Sequence, residues 1–210
     1  TRVRSSAASD VYKRQLVDKL IERARLRADA EGFRIDFQTG NAEQLPFEDA
    51  SFDYVLSTFG VMFAPDQERA ANELLRVCKP GGTIGLSNWT LESLAGSMFA
   101  LSSKYVPPPA GMRAPIEWGT APRLKQLFGD RVQMRVVDHH VYSRFPSVDD
   151  MIATFRRYFG PMVTLFERVP AEQHAAVEEE LRQVVGRYNR ATDGTLAAAM
   201  TYINVIMTKR

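Results

Sequence analysis

At 210 residues, 45% hydrophobic and 25% charged, the chain can bury one sizeable α/β core and has the balance of an ordinary globular domain. No apolar run reaches the ~20 residues of a membrane span, no apolar signal segment opens the chain, and the single cysteine, Cys78, excludes an internal disulfide, a Cys-based zinc site and a redox pair and fits the cytoplasm. The net charge of +2 is a property of the front end: residues 1–27 hold eight Lys/Arg against three acids, the remainder nineteen against twenty-two, so no basic face is expected to run through the fold and nucleic acid is not the expected partner.

Residues 5–15 show no helical or strand periodicity. They resemble the translated adapter sequence found at the ends of reading frames assembled from environmental DNA, so residues 1–15 are expected to be a non-native scar ahead of a partial domain at 16–210. Leu16, Leu20, Ala24 and Ala28 then recur at four-residue spacing and predict a helix over 16–30; Gly32 ends it. Phe33, Ile35 and Phe37 alternate in a short strand. Residues 52–59 form a nearly continuous apolar run, the pattern of a strand buried on both faces of a parallel sheet. A helix over 66–78 follows, then a tight turn at Lys79-Pro80-Gly81-Gly82 and a strand over 83–88. The order so far is the βα alternation of a doubly wound sheet.

The second half is less regular. A helix is predicted over 91–104, then a stiff Pro107-Pro108-Pro109 connector. A short helix capped by Thr120 ends at Gly129, and a strand covers 132–142. Ser147 and Asp150 have the spacing of a capping box and start a helix, which Pro161 interrupts. A long amphipathic helix over 171–190 turns Val177, Leu181, Val184, Val185 and Tyr188 inward, and a last strand covers 202–208. His139 and His140, on a predicted strand, read first as structural.

Three segments together resemble the class I S-adenosylmethionine-dependent methyltransferases, in particular the small-molecule branch that includes the ubiquinone and menaquinone C-methylases. They are Gly40-Asn41-Ala42-Glu43-Gln44-Leu45-Pro46-Phe47, the strand Ser51 to Phe59, and Leu74-Leu75-Arg76-Val77-Cys78-Lys79-Pro80-Gly81-Gly82. The resemblance is tight over 16–90, the cofactor-side half, and looser over 91–210, the substrate side with its helical lid. It implies an α/β, Rossmann-like sheet lacking its first two strands, with a closing antiparallel strand. By the family's strand order, 3-2-1-4-5-7-6, such a loss removes central strands, and the chain is expected to be unstable or molten.

The resemblance also implies a site. In the family an acidic side chain in the first segment accepts from adenine N6, and the next backbone N–H donates to N1. Asn41 stands in the acid's place here; its amide oxygen still accepts, without the charge. Ala42 would give the N–H, with Glu43 beside it. Ser57, Thr58 and Phe59, at the carboxyl end of their strand, would line the methionine moiety and the methyl group, where open α/β sheets bind ligands. Phe63, Trp89 and Trp118 are candidates to touch the acceptor. The Gly-rich loop is absent, and Gln15 falls where the family's ribose-binding acid stands.

The expected function is methyl transfer from S-adenosylmethionine to a small-molecule acceptor, as the activity of the intact parent, with this fragment inactive. The alternative is a non-catalytic binding or dimerisation domain of methyltransferase descent. No Tyr-x-x-x-Lys supports a short-chain oxidoreductase, no Asp/Asn-Pro-Pro-Tyr follows the strand at 52–59 as in a DNA N-methylase, and no residue cluster has metal-ligand spacing. The pattern names no general base and sets no oligomeric state.

Overall fold

The computed structural model describes residues 12–15 and 18–210. Its strands fall into two sheets. β1 (Tyr12–Gln15) pairs parallel with β2 (Asp36–Thr39). β3 (Phe52–Thr58), β4 (Cys78–Trp89), β5 (Val132–Phe145) and β6 (Leu196–Lys209) form a second sheet in the order β3-β4-β6-β5. β3 and β4 run parallel, and β6 is antiparallel to both its neighbours. This is the expected 4-5-7-6 order with its closing antiparallel strand, and the α/β, Rossmann-like class is confirmed.

The helices form for local reasons that the sequence shows. α1 (Asp18–Glu31) ends where Gly32 takes φ +71°, a left-handed turn that costs a glycine little. α2 (Gln67–Val77) is capped by Asp66, whose carboxylate accepts from the Arg69 N–H at 2.9 Å. α3 (Leu94–Tyr105) is capped by Ser93, and α4 (Ala121–Phe128) by Thr120. Ser147 accepts from the Asp150 N–H at 3.0 Å and starts α5 (Val148–Tyr158). Pro161 falls in the first turn of α6 (Gly160–Arg168), where its missing N–H is not needed. α7 (His174–Tyr188) buries Val177, Leu181, Val184 and Val185 as its periodicity predicts.

Two cores result, and β6 serves both. Ile203, Val205 and Met207 point to one side, into a core with Ile84 and Leu86 of β4 and the apolar faces of α2 and α4. Leu196, Ala198 and Met200 point to the other side, into a core built from α3, α5, α6 and α7. Alternation along one strand makes this possible: successive side chains leave opposite faces. Trp89, at the end of β4, packs against both cores. The turn Pro115–Gly119 is pressed against it, since a Cβ on Gly119 would lie 1.9 Å from the Trp89 carbonyl oxygen. A third, small cluster of Ile21, Ala28 and Phe37 holds α1 to β2.

Several features depart from the sequence reading: β4 starts at Cys78 and takes in the turn expected over Lys79-Pro80-Gly81-Gly82, and β6 starts at Leu196, six residues before the expected strand. Tyr12–Gln15 forms a strand although its sequence shows no alternation; parallel pairing with β2 uses backbone groups, which no sequence pattern reveals. β3 is not buried on both faces. Val55 packs on the first core, but Tyr54 is 72% and Leu56 74% exposed. A continuous apolar run records side-chain character, not whether another layer covers it. Among the described residues, no helix is long and apolar enough to cross a membrane.

Candidate functional site

Two loops meet at the carboxyl ends of the parallel strands. The first leaves β2 at Thr39. In it the Asn41 Oδ1 accepts from the Glu43 N–H at 3.0 Å, and the Asn41 carbonyl oxygen accepts from the Gln44 N–H at 3.2 Å. Asn41 thus makes an Asx-turn, the local structure its short amide favours. The second loop leaves β3 at Thr58. Ser57 Oγ accepts from the Val61 N–H at 3.0 Å and fixes the short turn Val61–Phe63. The loops are tied together: Glu43 Oε1 accepts from the Asp66 N–H at 2.8 Å.

α2 pins the first loop from behind. Glu73 Oε2 accepts from the Leu45 N–H at 2.6 Å. Arg76 donates to the carbonyl oxygens of Leu45 and Phe47 and to the carboxylates of Glu73 and Asp49. The hydrogen bond from Arg76 is the main reason the Glu73 carboxyl lies below its ordinary range. Glu73 and Arg76 were missed by the site expectation. Their signal was present as an acid and a base three apart on one helix face, but such pairs are common on solvated helices. Two of the three resembling segments are therefore bonded to each other in space.

Phe59 takes φ +57°, a left-handed conformation uncommon for a bulky residue. It is held there by its N–H, which donates to the Ser87 carbonyl oxygen at 2.9 Å, and by stacking on Trp89, with ring centroids 4.1 Å apart. Strain of this kind persists where the surroundings over-determine it. Thr58 is exposed beside it. Phe63 is 43% exposed and leans on Phe99 at 6.0 Å.

The structure thus gathers Asn41, Ala42 and Glu43 with the loop after β3, and Phe59 with Trp89. Trp118 does not join them. It is fully buried in the first core, edge-on to Phe128, with its Nε1 unpartnered; a bulky apolar ring gains more from that core than from an open cleft. Gln15 ends β1 beside Thr39. No cluster of His, Cys, Asp or Glu among the described residues could hold a metal, and burial pushes the Cys78 thiol pKa up, which keeps it protonated.

A family model described as a methyltransferase domain matches residues 2–86. The uncharacterized protein Rv1405c of Mycobacterium tuberculosis is 32% identical over 202 residues, covering 91% of this chain and 71% of its own length. The demethylmenaquinone methyltransferase of Bacillus cytotoxicus is 36% identical over 77 residues, 36% of this chain and 32% of its own. The chain belongs to the class I S-adenosylmethionine-dependent methyltransferases. Solved structures agree on the fold. The YcgJ protein of Bacillus subtilis superposes with a TM-score of 0.60 at 18% identity, covering 96% of this chain and 82% of its own. A methyltransferase of Bacillus halodurans gives 0.56 at 19%, covering 95% and 81%. In this methyltransferase, then, the paired loops stand where open α/β folds place their ligands.

Proposed function

We propose that this methyltransferase transfers a methyl group from S-adenosylmethionine to a small-molecule acceptor, in the cytoplasm, and does not act on nucleic acid. The observation that supports this best is the Glu43–Asp66 tie, which brings the turn after β2 and the loop after β3 to one pole of the fold. The turn suits an adenine edge. Asn41 Oδ1 uses one lone pair on the Glu43 N–H and keeps a second. Among the described residues the Ala42 N–H has no partner, and the Ala42 methyl packs on the first core. An acceptor and a donor are therefore left side by side for N6 and N1.

Bound S-adenosylmethionine supplies an electrophilic methyl group on a sulfonium. The chain's own part is to bind and orient. Ser57 is committed to the backbone, so its role is to shape the loop; Thr58 and Phe59 face the methyl-bearing end. Holding two reactants in line supplies a large share of the acceleration for such a transfer.

Calorimetric titration with S-adenosylmethionine tests the reading. Asn41→Asp keeps the turn and adds charge, so tighter binding is expected; Asn41→Leu removes the acceptor, so binding should weaken at least fivefold. Equal affinity in all three proteins would remove Asn41 from the site, and no binding by any would reject the cofactor reading for this chain. A second reading, a non-catalytic docking domain, draws on the exposed Tyr54 and Leu56; it predicts self-association without cofactor binding.

A further inference from the structure

β5 is the outermost strand of its sheet, in the order β3-β4-β6-β5, and no other described strand pairs with its far side. It runs for 14 residues, Val132 to Phe145, in unbroken register with β6 and without a proline or a bulge. Prolines, bulges and short length are the usual means of blunting an edge, whose outward N–H and C=O groups otherwise offer themselves to another strand. Apolar and aromatic side chains stand exposed along it: Val136 at 41%, Val141 at 47% and Tyr142 at 37%. What guards this edge is charge, at Arg135, Asp138 and Arg144. Charge selects among partners; it does not refuse all of them.

The charges have a pattern. Asp138, His140, Tyr142 and Arg144 are two residues apart along the strand and so share one of its faces. Their contacts agree: His140 stands edge-on to Tyr142 with ring centroids 5.5 Å apart, and the Arg144 guanidinium lies over the same ring at 5.3 Å. Neither Asp138 nor Arg144 forms an ion pair among the described residues. Read backwards, the stripe is Arg, Tyr, His, Asp. It is therefore complementary to an antiparallel copy of itself.

We propose that β5 pairs with the β5 of a second copy of this chain, antiparallel about a two-fold axis at Val141, and that the two sheets join into one. A two-fold sets each residue opposite the one equally far beyond the axis. With the axis at Val141, Asp138 faces the copy's Arg144, His140 faces the copy's Tyr142, His139 faces the copy's Ser143 and Val137 faces the copy's Phe145. Opposite charges, aromatic rings and apolar groups directly opposed across a strand pair attract, and like charges repel. Other registers lose this match. An axis at His140 sets Asp138 against Tyr142 and Arg144 against Val136; one at Tyr142 sets Arg144 against His140; one at Asp138 brings two carboxylates together. The helices of the second core lie against Leu196, Ala198 and Met200, toward the Phe145 end of the seam, and the two-fold carries the copy's helices to the opposite end. This association needs no cofactor and stands apart from the methyl-transfer reading.

Sedimentation velocity of the full chain across a concentration series should show a monomer–dimer equilibrium. Asp138→Arg and Arg144→Asp each set like charges opposite one another and should each weaken the dimer at least tenfold; both positions are exposed, and circular dichroism should match the parent. Mixed in equal amounts, the two variants restore opposite charges at both pairs and should form a heterodimer within threefold of the parent's affinity. A parent that stays monomeric, single variants that associate like the parent (as contact through the β3 face alone would give) or a mixture no tighter than its components overturns the proposal. Cross-linking tests the register independently. Directly opposed Cα atoms lie about 4.5–5.5 Å apart, within reach of a disulfide, and Cys78 is buried. Oxidised glutathione should therefore convert Val141→Cys to a covalent dimer at least tenfold faster than His139→Cys, whose two copies lie about 13 Å apart along the strand. Equal rates, or no covalent dimer from either, also overturn it.

Discussion

Arg76 donates from Nη2 to the carbonyl oxygen of Leu45 at 2.8 Å, and through the same guanidinium to Phe47, Glu73 and Asp49. A planar fork with five donors is suited to bridging carbonyls and carboxylates that point different ways. Arg76 lies on α2, so the loop carrying Asn41 and Ala42 takes its position from the same helix whose capped start anchors Glu43. Loop and helix behave as one unit.

Arg76→Lys keeps the charge and loses the fork. It should cost about 1.5–3 kcal/mol, the range for hydrogen bonds to charged groups, and weaken S-adenosylmethionine at least threefold. Urea denaturation and calorimetry measure the two effects. Unchanged affinity with lowered stability would show that the loop finds its place without the clamp.

The Glu73 carboxyl is held below its ordinary value of 4.5, chiefly by the hydrogen bond from Arg76. A depressed folded pKa gives stability that is full above the unfolded value and is lost as pH falls through the folded one. The Tm gap between the parent and Glu73→Gln should therefore stay constant from pH 8 to about 5.5 and close below about 4.5. A gap that widened on acidification would assign Glu73 a different partner in solution.

Much of this fold was legible in the sequence because it rests on local signals. Thr120 and Ser147 cap the helices they were expected to cap, and the periodicity of α7 named its buried face. The strand order followed from the three resembling segments. What was not legible depends on layers. Tyr54, Val55 and Leu56 are all apolar, yet only Val55 is covered, and nothing in the run distinguishes them. The loop after β2 was identified, but not Arg76 beneath it, because a guanidinium's partners are set by tertiary approach. Trp118 has the composition of a ligand-binding ring and the burial of a core residue, and composition alone does not choose.

The outer face of β3 offers a second kind of test. Leu56 lies across Gly85, where a Cβ would meet its Cδ2 at 2.7 Å, and Ile206 is 47% exposed in the same cross-strand row. Contiguous exposed apolar side chains mark association surfaces. Tyr54→Thr with Leu56→Thr puts β-branched residues, which suit a strand, in their place and should reduce self-association in sedimentation velocity. Stability should change by less than about 0.5 kcal/mol each, as for surface positions. A large drop in Tm would mean that this face is covered within the molecule.

The β1–β2 pair is the weakest part of the sheet system. Two paired strands are marginal on their own, and α1 adds a cluster of only Ile21, Ala28 and Phe37. Burying two large apolar side chains contributes about 1.5–3 kcal/mol each, while ordering costs about 1–2 kcal/mol for every residue fixed. Hydrogen exchange should show the consequence. Amides of residues 36–39 should exchange at least tenfold faster than those of β4 and β6, since local opening needs little free energy there. The Leu45 amide should break the usual rule that loops exchange first. It donates to Glu73 Oε2, and Glu73 is gripped by Arg76, so Leu45 should be better protected than the strand preceding it in the chain. If residues 36–39 and Leu45 exchange together, the loop takes its order from β2, and α2 is not its anchor.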